Sequence, residues 1–488
     1  MVNYYDASLR MASALKERGV QRGDRVAIYM DNTWPCGVVS IYGVLFAEGI
    51  FFVINPQTKK EKLQFLLDDS EAKILITDAH LAEVFSEVAR YSTLLQGIIS
   101  SGELSLAEPI SSVVVESVDA VIAESIPLSR AVSIIPLDLA AFIYTSGSTG
   151  TPKAVMQTHQ AMVFTTWSLI EYLRLAEHDK ILLILPFAFD YGLYQLLMAM
   201  KLGATLVVER SFAFPAVVYQ RISEQKVTVF PGVPTIFAMM ISSHRKKKMS
   251  FPTITRVTNT TAALPSDFIP DLQEMFPNAL IYKMYGLTEC KRVSYLEPEL
   301  INIKPRSVGK AIPGTEIFLL SPEGEPVPIG EPGILHVRGP HIMHGYWKQP
   351  ELSDEMLKDG IYPGERILCT HDWFKMDSDG DFYFVGRNDD IIKTRGEKVS
   401  PVEVENVLYA VVPGVKEAAV AGKDDLVLGQ EIWAYLVLEK GNSLTEKQVK
   451  KICLSHLENF MVPQRVIFLD EMPKTANGKI DKKALLET

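Results

Sequence analysis

The sequence predicts an α/β fold built on a largely parallel sheet, followed by a small β-rich part and a compact C-terminal α+β unit. Three observations lead there. Helix-spaced and strand-like runs alternate through the first 80 residues and again between 180 and 210, the pattern of βαβ units. From Pro313 onward the chain breaks into short β-rich runs separated by Gly and Pro, as in Ser321-Pro322-Glu323-Gly324. A polar stretch, Gly386-Arg387-Asn388-Asp389-Asp390, then precedes a last unit with α/β alternation of its own. A boundary near Asp389 makes 1–388 the large domain, with 313–388 its β-rich part, and 389–488 the small one.

The elements follow in order. Residues 8–17 place apolar side chains at helical spacing, 25–30 form a short β-rich run, and 63–67 reads as helix ahead of the strand-like run 73–77. Residues 181–185 read as a buried strand. Residues 191–202 read as a helix ended by Gly203, since glycine accepts the left-handed conformation that closes a helix. The next strand is Thr205 to Val208; Glu316 to Leu320, Gly333 to Arg338 and 382–385 supply strands of the β-rich part.

With 488 residues there is material for about three domains, and 47% hydrophobic with 22% charged residues describes a folded globular chain. Lys and Arg number 49 against 59 Asp and Glu, a net charge of −10, the wrong sign for a protein that grips nucleic-acid phosphates. No nucleic-acid partner is expected. Cys36, Cys290, Cys369 and Cys453 lie far apart without a CxxC or Cys/His cluster, so neither a zinc site nor a disulfide framework is expected, and a cytoplasmic location fits. The opening residues Met1-Val2-Asn3-Tyr4-Tyr5-Asp6 lack the basic segment and apolar run of a secretory signal. The most apolar stretch, 181–200, is interrupted by Pro186, Asp190 and Gln195, so no membrane span is expected. The basic run 244–248 reads as a solvated helix end or loop.

The stretch richest in chemistry is Tyr144-Thr145-Ser146-Gly147-Ser148-Thr149-Gly150-Thr151-Pro152-Lys153, which follows the apolar run 139–143. Glycines let backbone N–H groups approach an anion, hydroxyls add donors, and Lys153 adds countercharge, so this is a phosphate cradle. Ala154 after the lysine departs from the G-x-x-x-x-G-K-[ST] loop of ordinary P-loop enzymes.

This loop resembles the phosphate-binding signature of the adenylate-forming superfamily, which includes acyl- and aryl-CoA synthetases, peptide-synthetase adenylation domains and firefly luciferase. Further matches come in the family's order: Tyr285-Gly286-Leu287-Thr288-Glu289, Asp372, Gly386-Arg387 with Lys393 to Glu397, and Pro473-Lys474-Thr475-Ala476-Asn477-Gly478-Lys479. The resemblance spans essentially the whole chain and implies attack of a carboxylate on the α-phosphorus of ATP, giving acyl-AMP and pyrophosphate, then transfer of the acyl group to a thiol. It implies ATP, Mg²⁺ and coenzyme A, or a phosphopantetheine carrier protein, as cofactors and partners.

The same resemblance implies roles for individual residues. Lys479 bridges the substrate carboxylate and the α-phosphate, Thr288 donates to that phosphate, and Glu289 is the Mg²⁺-associated glutamate. Thr145, Ser146, Gly147, Ser148, Thr149, Gly150 and Lys153 hold phosphate, and Lys393 joins the nucleotide site. Tyr285 lies against adenine, Asp372 accepts from the ribose hydroxyls, and Arg387 serves ribose or phosphate. Asp389 is the hinge about which a mobile C-terminal lid swings, withdrawing Lys479 and bringing Gly396 to the thiol channel.

Several positions depart from the family. Ala154 and His371 stand where glycine is usual, Thr260-Thr261-Ala262-Ala263 replaces a commonly glycine-rich stretch, and the chain starts some tens of residues later than members typically do. The acid pocket falls on 186–191 and 260–264, with Phe189, Asp190, Thr261, Ala262 and Ala263 as its expected lining. An aryl acid, an amino acid or a medium acyl chain each fits. Asp190 either binds a substrate amine, as in peptide-synthetase adenylation domains, or caps the helix that comes after it. A CoA ligase is the leading expectation, a stand-alone enzyme loading a carrier protein the alternative, and a catalytically silent nucleotide-binding protein the third.

Overall fold

In the strand Arg25–Tyr29, Val26 and Ile28 face one way and Ala27 and Tyr29 the other, and all four are buried. Helices therefore cover both faces of its sheet, as a parallel sheet requires. On one side Val26 and Ile28 pack with Met11 and Leu15 of the helix Tyr4–Glu17 and with Val38, Ile41 and Val44 of Cys36–Phe46. On the other, Ala27 and Tyr29 pack with Leu63, Leu66 and Leu67 of Lys60–Ser70 and with Phe85 and Val88 of Ala82–Tyr91.

A computed structural model describes residues 3–32, 35–104, 110, 113–129, 133–146, 152–387, 390, 392–394, 397–425, 428–457, 459–475 and 478–487. Its contacts divide into two units, one made of 1–228, 287–291 and 339–366, the other of 229–286, 292–338 and 367–488. The first is organised by an eight-stranded sheet in the order Gly345–Tyr346, Pro152–Thr158, Leu139–Ser146, Ile50–Ile54, Arg25–Tyr29, Ile74–Asp78, Gly97–Ser101, Val114–Ser117. The pairing is parallel from Leu139–Ser146 through Val114–Ser117, and antiparallel at the end formed by Pro152–Thr158 and Gly345–Tyr346. The same unit holds a βαβ element in which Lys180–Leu183 and Thr205–Val208 pair in parallel through the helix Asp190–Leu202, closed by Gly203 at φ 70°.

In the second unit Val229–Gly232, Arg256–Asn259 and Leu280–Tyr285 are parallel neighbours, continued by the antiparallel strands Ser294–Tyr295 and Lys310–Ala311. The β-rich part is an antiparallel meander of Glu316–Leu320, Gly333–Arg338, Arg366–Met376 and Phe382–Arg387. The C-terminal part has a sheet whose long pair, Val415–Asp425 with Gly429–Leu438, packs Val420, Ile432, Ala434 and Leu436 against Val404 and Leu408 of Pro401–Val411 and Val449 and Cys453 of Glu446–Leu454. A capping box between Thr445 and Gln448 starts the last of these helices.

The structure adjusts several boundaries. The first helix begins at Tyr4, four residues before the expected start, because Asn3 accepts from the N–H groups of Tyr5 and Asp6. The basic run 244–248 ends the helix Pro234–Lys246 with residues 245–248 exposed, as expected, and only its first residue turns inward. His244 is only 1% exposed and accepts from the Met249 N–H through Nδ1, while Arg245 and Lys248 pair with Asp271 and Glu274. Among the described residues no helix is long and apolar enough to cross a membrane.

One buried cation in the second unit carries a testable pH dependence. Lys283 is 5% exposed, donates to the Pro305 carbonyl, and is pushed by burial from the usual value near 10.5 to about 8. Between these values the unfolded chain holds a proton that the folded chain has released, so this group makes stability rise as pH climbs from about 8 to about 10.5. A shift of this size corresponds to about 3 kcal/mol. Lys283→Met is expected to abolish that part of the rise, so the difference in melting temperature between variant and parent should stay flat below about pH 8 and shrink from there toward about pH 10.5. A constant difference would show that Lys283 titrates at its ordinary value.

Candidate active site

The antiparallel turn-back of Leu139–Ser146 into Pro152–Thr158 sets Thr145 opposite Lys153. Ala154, buried in the strand, faces Tyr144, so its methyl group belongs to the core. Gly147, Ser148, Thr149 and Gly150 lie outside the described residues, as does the side chain of Ser146. Thr145 Oγ1 is buried and has no hydrogen-bond partner among the described residues, which leaves a donor for a ligand beside Lys153.

Glu289 belongs to the same unit and is 8% exposed. Tyr346 joins it to the lysine. The phenol donates to Glu289 Oε1 at 2.6 Å, and Lys153 Nζ lies 3.3 Å from the phenol oxygen and 4.3 Å from the ring centre. Gln157, two positions past Val155 on the same strand, donates through Nε2 to the Thr288 carbonyl at 3.3 Å and so anchors the turn that carries Thr288 and Glu289. Met343 N–H adds a second anchor, donating to the Glu289 carbonyl at 2.7 Å. Cys290 next to Glu289 is fully buried, and its thiol is pushed well above the ordinary range by burial first, then by the charge of Glu289 and, more weakly, of Asp190.

Asp190 is not the helix cap that one sequence reading allowed. The turn closed by Phe189 N–H on the Pro186 carbonyl makes Phe189 the N-cap, with no side-chain cap bond, and Asp190 the first helical residue. Its half-buried carboxylate has no hydrogen-bond or ion-pair partner among the described residues.

A second cluster forms in the other unit. The Tyr285 hydroxyl donates to Asp372 Oδ2 at 2.5 Å, and Arg387 Nε lies 3.6 Å from Oδ1 of the same carboxylate. The Tyr285 ring meets Phe374 edge-on at 4.8 Å and lies near-parallel to Phe384 at 6.2 Å. Asp372 is aimed by an irregularity in Arg366–Met376: Ile334 faces Trp373 while His336 faces Cys369, so residues 370–372 stand against Leu335. Thr370 Oγ1 donates to the Leu335 carbonyl and accepts from the Asp372 N–H, and His371 turns left-handed at φ 57°. Thr261, in the stretch with exposed Ala262 and Ala263, is left-handed as well at φ 82°. At both departures from glycine the backbone keeps a conformation that glycine adopts most easily.

Lys479 sits on a tight turn in which Thr475 N–H donates to the Lys479 carbonyl and Gly478 N–H to the Thr475 carbonyl, with Gly478 at φ 75°. A Cβ at Gly478 would lie 3.7 Å from Thr235 Oγ1, which places the turn beside the start of the helix Pro234–Lys246. Lys393 is in the strand Ile392–Thr394 opposite Lys398, with its side chain outside the described residues; Asp389 and Gly396 are outside them altogether. Sequence reasoning missed Tyr346 and Gln157, neither of which stands in a motif that announces its contacts.

Taken by itself, the first unit's donor set fits phosphate and a divalent cation. Glu289 offers a hard carboxylate oxygen, and Lys153 with the orphaned Thr145 hydroxyl offers charge and a donor to phosphate. Tyr285 and Asp372 present an aromatic ring and a carboxylate of the kind that meets a nucleoside.

The AMP-binding enzyme family matches residues 2–347, and the AMP-binding enzyme C-terminal domain matches residues 403–479. The long-chain-fatty-acid–CoA ligase of Bacillus subtilis (strain 168) is 32% identical across 98% of this chain and 88% of its own length. A feruloyl-CoA synthase from an Amycolatopsis species is 30% identical, across 97% and 90%. The crystal structure of a benzoate CoA ligase from Burkholderia xenovorans LB400 superposes with a TM-score of 0.86 at 26% identity, covering 99% of this chain and 93% of the other. A lysine and an orphaned hydroxyl suited to phosphate, a buried carboxylate suited to a cation and a C-terminal lysine turn, in a chain matched nearly end to end, thus place this protein in the AMP-binding enzyme family, as an AMP-forming acid–thiol ligase.

Proposed function

We propose that the enzyme activates an aryl, amino or medium-chain acyl acid with Mg²⁺ and ATP and passes it to coenzyme A in the cytoplasm. The observation that supports this most is that Lys153 and Glu289, in one unit, both contact Tyr346 and not each other, so that neither cancels the other's charge. In the first step a carboxylate oxygen forms a bond to the α-phosphorus and the bond to pyrophosphate breaks, so two anions must be brought together. Lys153 and the Thr145 hydroxyl bind phosphate, Thr288 donates to the α-phosphate, and Lys479 bridges that phosphate and the acid. Mg²⁺, when bound at Glu289 with the triphosphate, supplies the remaining positive charge. Tyr285 and Asp372 hold the nucleoside, with Arg387 at the ribose or phosphate edge. The segment from 389 onward then swings about Asp389 as a lid, exchanging Lys479 for Gly396 at the thiol channel.

Acid-dependent exchange of labelled pyrophosphate into ATP, across a library of aryl, amino and acyl acids, tests the first step. Exchange with no acid would overturn the proposal. Product formation with coenzyme A, compared against a panel of carrier proteins, tests the acceptor, and transfer to a carrier alone would replace coenzyme A.

Asp190 bears on the acid. With the cap excluded, a half-buried carboxylate that has no partner among the described residues is best matched by a substrate amine, because burying a charge without a partner is costly. Asp190→Asn is expected to raise KM for amino-bearing acids at least about tenfold, the size of a lost charged hydrogen bond, with little effect on their des-amino analogues. Equal effects on both classes would remove the amine from the proposal.

A further inference from the structure

Tyr346 lies on a two-residue strand, Gly345–Tyr346, at the outer edge of the eight-stranded sheet, opposite Val155 of the strand that also carries Lys153. It is 2% exposed. Its hydroxyl is bonded to Glu289 and its ring and oxygen face Lys153, so one neutral side chain touches both the anion and the cation. The phenol O–H donates and Glu289 Oε1 accepts, so the contact with the carboxylate is made by a neutral group.

The arrangement has a physical purpose. A lysine and a glutamate on neighbouring elements of a poorly hydrated site would collapse into a contact pair, and each would cancel the charge the other is meant to offer. Lys153 and Glu289 form no such pair. The ammonium instead rests at the electron-rich side of the ring, and one carboxylate oxygen takes a neutral O–H. The other carboxylate oxygen has no hydrogen-bond partner among the described residues, and the carboxylate keeps its negative charge because its partner is neutral.

We propose that Tyr346 is a positioning residue for acid activation: it separates Lys153 from Glu289 and aims the free oxygen of Glu289 at a divalent cation. This rests on the reading of Glu289 as the metal-associated residue and of Lys153 as a phosphate ligand. Tyr346→Phe keeps the ring and its volume and removes only the O–H. It is expected to raise the Mg²⁺ concentration that half-saturates pyrophosphate exchange by about 10- to 100-fold, the usual effect of losing a group that orients a metal ligand. KM for the acid and thioester formation from supplied acyl-AMP should change less than about twofold, since neither passes through that oxygen. The same shift can be read without turnover or a known acid, from the increment that Mg²⁺ adds to stabilisation of the protein by ATP in thermal melts.

Glu289→Gln separates the proposal from the reading beneath it. That variant should show the Mg²⁺ shift by itself, and Tyr346→Phe added to it should do nothing further, because both act through one carboxylate. Normal Mg²⁺ dependence in Tyr346→Phe, with a shift in Glu289→Gln, overturns the role of Tyr346 alone. Normal dependence in both overturns the assignment of Glu289 and the proposal with it. A fall in melting temperature with both half-reactions slowed equally and Mg²⁺ dependence intact would make Tyr346 a packing residue and would likewise overturn the proposal.

Discussion

Lys479→Ala is expected to lower acyl-AMP formation by at least about 100-fold, the scale on which removing one preorganised charge at a developing transition state acts. The geometry makes the loss specific. Lys479 contributes its carbonyl to the turn, accepting from Thr475 N–H, and this backbone bond survives truncation of the side chain. Gly478, at φ 75°, sets the turn whichever side chain occupies position 479. The variant should therefore melt at the parent temperature and bind ATP, yet fail in pyrophosphate exchange. Thioester formation from supplied acyl-AMP should persist, because the lysine serves only the first half-reaction. A parallel fall in both half-reactions would remove the division of labour proposed for the C-terminal lid.

The second large effect is expected at Gly192, in the first turn of the helix Asp190–Leu202. A Cβ there would stand 2.3 Å from the Pro186 carbonyl oxygen and 2.5 Å from that of Leu185. Both obstacles are backbone, so no rotamer change relieves them. Gly192→Ala must displace the turn that carries Phe189 and Asp190, and with both obstacles in the backbone the cost should lie toward the upper end of the roughly 1–3 kcal/mol typical of overpacking. The melting temperature should fall, and in protein that remains folded KM for the acid should rise more than KM for ATP. At Gly203, by contrast, the nearest atom to an added Cβ is Glu177 Cγ at 4.0 Å, so only the left-handed φ of 70° opposes a substitution there. Unchanged stability in Gly192→Ala would mean that the segment 185–192 yields more readily than its packing implies.

Most of the architecture was legible because its signals are periodic. The strands Thr205–Val208, Glu316–Leu320 and Gly333–Arg338 begin and end where alternation and turn residues put them. Tyr285, Thr288, Glu289, Asp372 and Lys479 are proposed on their motifs, and of these the structure joins Tyr285 to Asp372. What escaped depends on chain-distant contact. Tyr346 meets Lys153 from 193 residues away, and nothing in Gly345-Tyr346-Trp347 states that pairing. The cap at Phe189 escaped because aspartate is the better capping residue in general, and only the turn onto the Pro186 carbonyl shifts the helix start by one. His244 escaped because a run of basic residues looks exposed until the neighbouring carboxylates Asp271 and Glu274 are known to gather it in.

The left-handed backbones of Thr261 and His371 bear on how much further change the second unit can absorb. Histidine visits that region more readily than most residues, whereas a β-branched threonine at φ 82° is a true outlier. At about 1–2 kcal/mol for a residue with a Cβ, the pair withholds a few kcal/mol from folding that glycines at the same places would not. Natural domains hold roughly 5–15 kcal/mol in reserve, so that fraction is considerable. Mutational robustness is accordingly uneven along this chain. Around Asp372 and the 260–264 stretch, fewer neutral substitutions should therefore remain open than in the doubly covered parallel sheet of the first unit.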